Sequence, residues 1–170
     1  KVNGWRMMPK SSRFKSVKHK AGTQGRNRKA RGVSKPPEKK ELTLWDQASR
    51  WYDSLVGSQG TDFQKDIIMP GVFRLLEVGK KDRVLDLACG QGVFSRFLAK
   101  KGIHVEGLDS SSELLKHARA RSGPSIKYHV GDAGDAKNFK ENVFDGIACL
   151  MAIQNIEKMD MLFKSAGQWL

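Results

Sequence analysis

Three aspartates stand close behind short apolar runs, and their surroundings suit ligand chemistry better than covalent catalysis. Asp86 opens the stretch Asp86-Leu87-Ala88-Cys89-Gly90-Gln91-Gly92. Gly90 and Gly92 let the backbone turn tightly and approach a ligand, and a helix starting behind them offers free N–H groups to an anion. Asp109 lies 17 positions beyond Gly92, placed to accept hydrogen bonds from a ribose diol, and Asp132-Ala133 ends a further apolar run. Each acid also has a plainer role open to it: Asp109 as a helix cap, Asp132 as a turn residue among Gly131, Gly134 and Asp135. Cys89 and Cys149 have no basic neighbour and suit small core positions. His104, His117 and His129 are scattered singly, so neither a nucleophile nor a metal site is expected, and no catalytic residue is assigned.

The elements that must hold these acids follow from periodicity. Thr43 with Asp46 three positions on signals a helix start, and Trp45, Ala48, Tyr52 and Leu55 recur at helical spacing until Gly57 and Gly60. A second helical stretch spans about 62–77, broken or restarted at Pro70, with Ile67, Ile68, Val72, Leu75 and Leu76 as its buried side. From Arg83 onward short runs alternate with helices: strands at 84–87, 103–108, 126–130 and 144–149, helices at 93–101 and 112–121, the latter opened by Ser110, and a last helix from near Glu157. That alternation predicts an α/β fold, a Rossmann-like doubly wound parallel sheet preceded by N-terminal helices. In such a sheet, ligands bind beyond the carboxyl ends of the strands, where all three aspartates fall.

The segment Val84-Leu85-Asp86-Leu87-Ala88-Cys89-Gly90-Gln91-Gly92, with Gly107-Leu108-Asp109, Gly131-Asp132-Ala133 and Phe144-Asp145-Gly146-Ile147, resembles the four motifs of the class I S-adenosylmethionine-dependent methyltransferases. The resemblance covers roughly residues 44–170. Trp51-Tyr52-Asp53 is similar to the lid segment of the small-molecule members related to the quinone-biosynthesis C-methyltransferases, although the helical spacing of Trp45, Trp51 and Tyr52 also fits a core face. The family implies that Asp86 and the Ala88 carbonyl receive the methionine ammonium and that the backbone of Cys89, Gly90, Gln91 and Gly92 lies along the methionine and sugar. It further implies that Asp109, with Ser110, takes the ribose hydroxyls, Asp132 and the Ala133 N–H take adenine, and Leu150 lies near the sulfonium. Ala88 stands where the family's first glycine usually is. Gln154 and Asn155 are placed toward the acceptor. The implied reaction is in-line methyl transfer to a small-molecule acceptor.

Composition bears on the rivals. The 170 residues carry a net charge of +13, but 14 of the 31 basic and 2 of the 18 acidic side chains fall in residues 1–41, which hold +12 of it. That basic segment has few apolar residues and is expected to be a disordered tail, leaving a nearly neutral domain at 42–170, with a helical lid segment at 42–80 and the βαβ core at 81–170. Nucleic acid binding, or an RNA-modifying methyltransferase, would have to work through the tail, since no basic face continues into the domain. A nicotinamide-dinucleotide oxidoreductase fits poorly, because Ser95 stands where its third glycine would be and an acid precedes the loop. No run approaches the roughly 20 apolar residues of a membrane span, and two cysteines without a disulfide framework suit the cytoplasm. The family fold has seven strands and only four are expected here, so the chain reads as an N-terminal part with an unpaired sheet edge and is expected to be unstable or aggregation-prone alone.

Overall fold

The computed structural model describes residues 42–170, which fall within one compact unit. The basic segment 1–41, with the disorder and the nucleic acid contacts expected of it, lies outside the described residues. Helix α1, Leu44–Val56, begins with a full capping box: the Thr43 side chain accepts the Asp46 amide, and the Asp46 carboxylate accepts the Thr43 amide. A π-helical turn, Gln64–Ile68, leads into α2, Met69–Leu76. The chain passes through Pro70 without a break, because the wide turn ahead of it has the Met69 amide donating to the Gln64 carbonyl five residues back. One extra residue per turn rotates the helix face. Met69 therefore turns inward at 4% exposure with Val72, Phe73 and Leu76 beside it, whereas Ile67 and Leu75 face outward, contrary to the buried side read from the sequence.

The alternating part follows as expected: β1 Arg83–Leu87, α3 Val93–Lys100, β2 His104–Asp109, α4 Ser112–Arg121, β3 Lys127–Val130, β4 Gly146–Ala148 and α5 Met159–Trp169. The sheet is four-stranded and parallel in the order β3-β2-β1-β4. The chain winds outward from β1 to β3 and then returns to the other side of β1, so the order reverses between β1 and β4. Successive side chains face opposite layers. Val84, Val105 and Ala148 pack with Phe94 and Leu98 of α3 and Met69 of α2, while Leu85, Leu87 and Leu108 pack with Leu162 and Trp169 of α5. The Trp169 carbonyl accepts the amides of Val143 and Phe144, which ties the end of α5 to the approach to β4. Among the described residues, β4 pairs with β1 alone, and no helix is long and apolar enough to cross a membrane.

Midway along β2, Glu106 joins its neighbours across three strands: Arg83 of β1 at 2.9 Å and His129 of β3 at 2.7 Å. Burial would raise the Glu106 carboxyl, but the Arg83 and His129 hydrogen bonds outweigh it and hold it below the usual glutamate value. A depressed acid stabilises the fold above its unfolded value and loses that contribution as pH falls through the folded one. Stability should therefore decline from about pH 4.5 downward in the native chain, and Glu106→Gln should flatten that part of the curve while costing about 0.5–1.5 kcal/mol at pH 7. Urea titrations between pH 3 and 7 measure both, and parallel curves for the two proteins would refute the assignment.

Candidate functional site

The reversal of strand order opens a cleft beyond the ends of β1, β2, β3 and β4, with a volume of about 490 Å³. Ala88 and Gly90 come from the loop after β1, Asp109 and Ser110 from the end of β2, Asp132 and Ala133 from behind β3, and Leu150 from behind β4. α1 roofs it with Trp45 and Tyr52. A smaller chamber of about 40 Å³ adjoins, lined by Asp86, Ala88, Cys89, Gln91 and Leu150 together with residues of the π turn, and Tyr52 and Met151 line both spaces.

The loop after β1 is made by backbone conformation. Ala88, Gly90 and Gly92 all take positive φ, at 56°, 55° and 75°. Gly92 caps α3, and a Cβ there would lie 2.4 Å from the Tyr128 hydroxyl oxygen and 3.1 Å from the Ala118 Cβ. Ala88 accepts the left-handed region with a side chain, as does Met151 at φ 53° behind β4. Such positions cost of order 1 kcal/mol or more and gather where a site dictates the backbone.

Asp109 is 8% exposed, and both its oxygens are held by backbone amides: Oδ2 by Gly90 at 2.7 Å and Oδ1 by Ser111 at 2.8 Å. Burial pushes its carboxyl up, the two amides pull it partly back, and the charge of Asp46 adds to the rise. Each oxygen keeps lone-pair capacity toward the cleft. Asp86, 2% exposed, accepts the Ser95 hydroxyl at 2.5 Å. Burial raises it to about 7, against the opposing hydrogen bond from Ser95, and the Asp109 charge contributes further. Asp109 thus faces the main cleft and Asp86 the adjoining chamber, each a desolvated acid whose ionised form a cation would favour.

Asp132 is exposed and takes the turn role, with Oδ1 accepting the Gly134 amide, while it also lines the cleft. The Gln91 side chain is buried at 1% exposure and points away from the main cleft, donating to the Gly57 carbonyl and bonding to Arg121. Trp51 is 59% exposed and lies outside both chambers; Trp45, meeting Tyr52 edge-on at 5.5 Å, is the tryptophan over the cleft. Asn155 lines the cleft, whereas Gln154 turns back to the Met151 carbonyl. Thr43, Met151, Glu157 and Lys158 also line it, and no periodicity marks the last three. Burial pushes both thiols up, Cys149 to about 11, with Asp86 and Asp109 adding to it, so neither cysteine is a ready nucleophile. Among the described residues no cluster of His, Cys, Asp and Glu is suited to a metal ion.

The arrangement has counterparts in known proteins. A family profile described as a methyltransferase domain matches residues 84–170. A ubiquinone biosynthesis O-methyltransferase from Xylella fastidiosa is 36% identical over 77 residues, covering 44% of this chain and 31% of the relative. The namesake from Hydrogenovibrio crunogenus is 26% identical over 132 residues, covering 75% and 54%. The chain thus spans about a third to a half of these relatives. Among solved structures, phosphoethanolamine N-methyltransferase 2 of Haemonchus contortus, in complex with S-adenosyl-L-methionine, superposes with a TM-score of 0.61 and 26% identity over 74% of this chain and 30% of that one. An S-adenosylmethionine-dependent methyltransferase from Mesorhizobium loti gives 0.52 and 28% over 60% and 50%.

The two loop glycines should respond differently to an added methyl. Gly90 has room, with the nearest side chain 3.7 Å away, so Gly90→Ala should cost only the left-handed strain, about 1–2 kcal/mol. Gly92→Ala adds the collision with Tyr128 and Ala118 and should cost about 2–5 kcal/mol. Equal losses in urea unfolding would show that packing against Tyr128 does not set this loop.

Proposed function

The chain belongs to the class I S-adenosylmethionine-dependent methyltransferase family, and we propose that its cleft binds S-adenosylmethionine and that the whole protein methylates a small-molecule acceptor. One observation carries this reading: two buried carboxylates, Asp86 and Asp109, flank a left-handed loop at the strand-order reversal. A molecule with a cationic amino acid end and a ribose diol answers both. Asp86 with the Ala88 carbonyl would take the ammonium, and the free lone pairs of Asp109, beside Ser110, would take the two hydroxyls. The backbone of Cys89, Gly90 and Gly92 would run along the methionine and sugar. Asp132 retains one carboxylate oxygen for an exocyclic amine, and the Ala133 amide suits a ring nitrogen. Leu150, shared by both chambers, would border the reacting centre, with Tyr52 and Met151 beside it.

When bound, the cofactor supplies an electrophilic methyl on sulfur. The chain's own contribution is alignment: the roof of Trp45 and Tyr52 excludes water, and the floor fixes the donor in one orientation. Such positioning can supply up to about 7–11 kcal/mol of rate enhancement. Among the described residues no histidine lines either chamber, and the titratable side chains beyond the cofactor acids are Tyr52, Glu157 and Lys158 in the main cleft. The quinone-biosynthesis relatives are named for O-methylation, which supports a hydroxyl acceptor. A dinucleotide would place a pyrophosphate beside Asp86, and the buried acid opposes that.

Calorimetric titration of the protein with S-adenosylhomocysteine and NAD tests the reading. Asp109→Ala should weaken S-adenosylhomocysteine binding at least about tenfold, in line with loss of charge-assisted hydrogen bonds worth about 1.5–3 kcal/mol. Binding of NAD alone would overturn the reading.

The Asp86 carboxyl adds a pH signature. Its folded value of about 7 lies above the unfolded 3.8, so its ionisation destabilises the fold progressively from about pH 4 to 7. An ammonium ligand favours the ionised form, so below pH 7 binding must release a proton. Affinity should fall up to about tenfold per pH unit from pH 7 to 5, and Asp86→Asn should remove that slope. A pH-independent affinity in the native protein would refute the ammonium role.

A further inference from the structure

Asp46 is a buried carboxylate on α1 that touches no wall of either chamber, yet it is among the most heavily bonded side chains described. Its Oδ2 accepts the Thr43 amide at 2.8 Å and the Thr43 hydroxyl at 2.9 Å. Its Oδ1 reaches across to the start of α4, accepting the Ser111 hydroxyl at 2.8 Å, the Glu113 amide at 3.0 Å and the Ser112 hydroxyl at 3.4 Å. A capping box needs only the first set. The second set makes the same carboxylate a shared cap for two helices, 65 residues apart in sequence.

Ser111 is where this matters. Its hydroxyl is fully buried, donates to Asp46 and accepts the Leu114 amide, while its own backbone amide donates to Asp109 Oδ1. Asp109 in turn holds the Gly90 amide of the left-handed loop. A continuous hydrogen-bonded chain therefore runs from α1 through Asp46, Ser111 and Asp109 to Gly90. Burial would raise the Asp46 carboxyl, but the Glu113 and Thr43 amides with the Ser111 and Thr43 hydroxyls outweigh it and hold the group far below the usual aspartate value. It is thus a fixed charge at neutral pH.

We propose that Asp46 is a positioning residue for Asp109: by clamping Ser111 it fixes the carboxylate that receives the ribose hydroxyls. This rests on the S-adenosylmethionine reading of the cleft. A residue that only stabilised the fold would weaken every ligand alike; one that orients Asp109 acts on ligands with a ribose diol.

The test compares S-adenosylhomocysteine with its 2′,3′-dideoxy analogue, titrated into the full chain and its variants. Asp46→Ala and Ser111→Ala should each weaken S-adenosylhomocysteine binding about tenfold, the size of a typical coupling along such a chain, and leave affinity for the dideoxy analogue within about twofold. Asp46→Asn keeps one carbonyl oxygen for Ser111 and Glu113 and should restore most of the loss. Circular dichroism and thermal melts confirm that each variant is folded, and Ser111→Ala, which keeps the backbone amide to Asp109, carries the comparison if Asp46→Ala does not fold. Equal losses for both ligands, or none for either, would overturn the positioning role while leaving the cofactor reading intact. Failure of the native chain to bind either ligand would sink both.

Discussion

Two carboxylates are buried at the ends of neighbouring strands, and most of the surrounding structure is shaped by keeping them there. Removing an ion from water costs several kcal/mol even after relaxation, and a second like charge nearby adds to it. The chain answers with donors: Ser95 for Asp86, and the amides of Gly90 and Ser111 for Asp109. These partners fix where α3 and α4 begin. The loop after β1 must curl enough to bring the Gly90 N–H to Asp109, and the turn after β2 must place Ser111 on the other oxygen. The compensation is incomplete for Asp86, whose carboxyl rises to about 7, and that incompleteness is what an incoming cation would relieve.

The same demand explains backbone conformations that a freely folding chain would avoid. Ala88 and Met151 both sit in the left-handed region at the ends of β1 and β4, which face each other at the reversal of strand order. Neighbouring packing holds the loop in place. Gly107 is bare because a Cβ there would lie 2.7 Å from the Tyr128 ring and 2.9 Å from the Cys89 sulfur, so the ring can lie across β2 and support the loop that carries Cys89. Glycines in two separate motifs thus serve one loop.

The alternation of strands and helices was legible because each apolar run is short and each helix begins with a polar cap; the reading of α4 as 112–121 matches its observed extent. Its cap was misplaced by one residue. Ser111 accepts the Leu114 amide, whereas Ser110 lines the cleft, and two adjacent serines offer no local signal to separate them. The buried side of the second helical stretch was legible at Val72 and Leu76 but not at Ile67, Leu75 or Met69, because a π turn shifts the phase and no residue type marks such a turn. The roof was half legible. Trp45, Trp51 and Tyr52 share a helix, and which of them faces the cleft depends on the rotation of α1, set by the bond from Asp46 to a turn 65 residues away. The floor was legible because strand ends in a parallel sheet converge whatever the loops do; Met151, Glu157 and Lys158 come from a loop whose path obeys no such rule.

The attachments of α1 are unequal, and the inequality follows from solvent. At its start, Asp46 is sealed by donors on both sides, and breaking those bonds strands a buried charge. Toward its end, Asp53 meets Arg121 through two bonds of 2.5 and 2.7 Å with His117 at 3.5 Å, and these side chains are in partial contact with water, where separated charges are readily rehydrated. Beyond it, the Gly57 and Ser58 carbonyls accept from Gln91 and Arg96, residues of the loop after β1 and of α3. The roof is therefore bound firmly to the turn that orients Asp109 and more weakly to the chain that orients Ala88 and Gly90. Displacing the weaker end disturbs Gln91, whose carbonyl also accepts from Arg96, so the loop that lines the cleft and the helix that roofs it cannot rearrange independently.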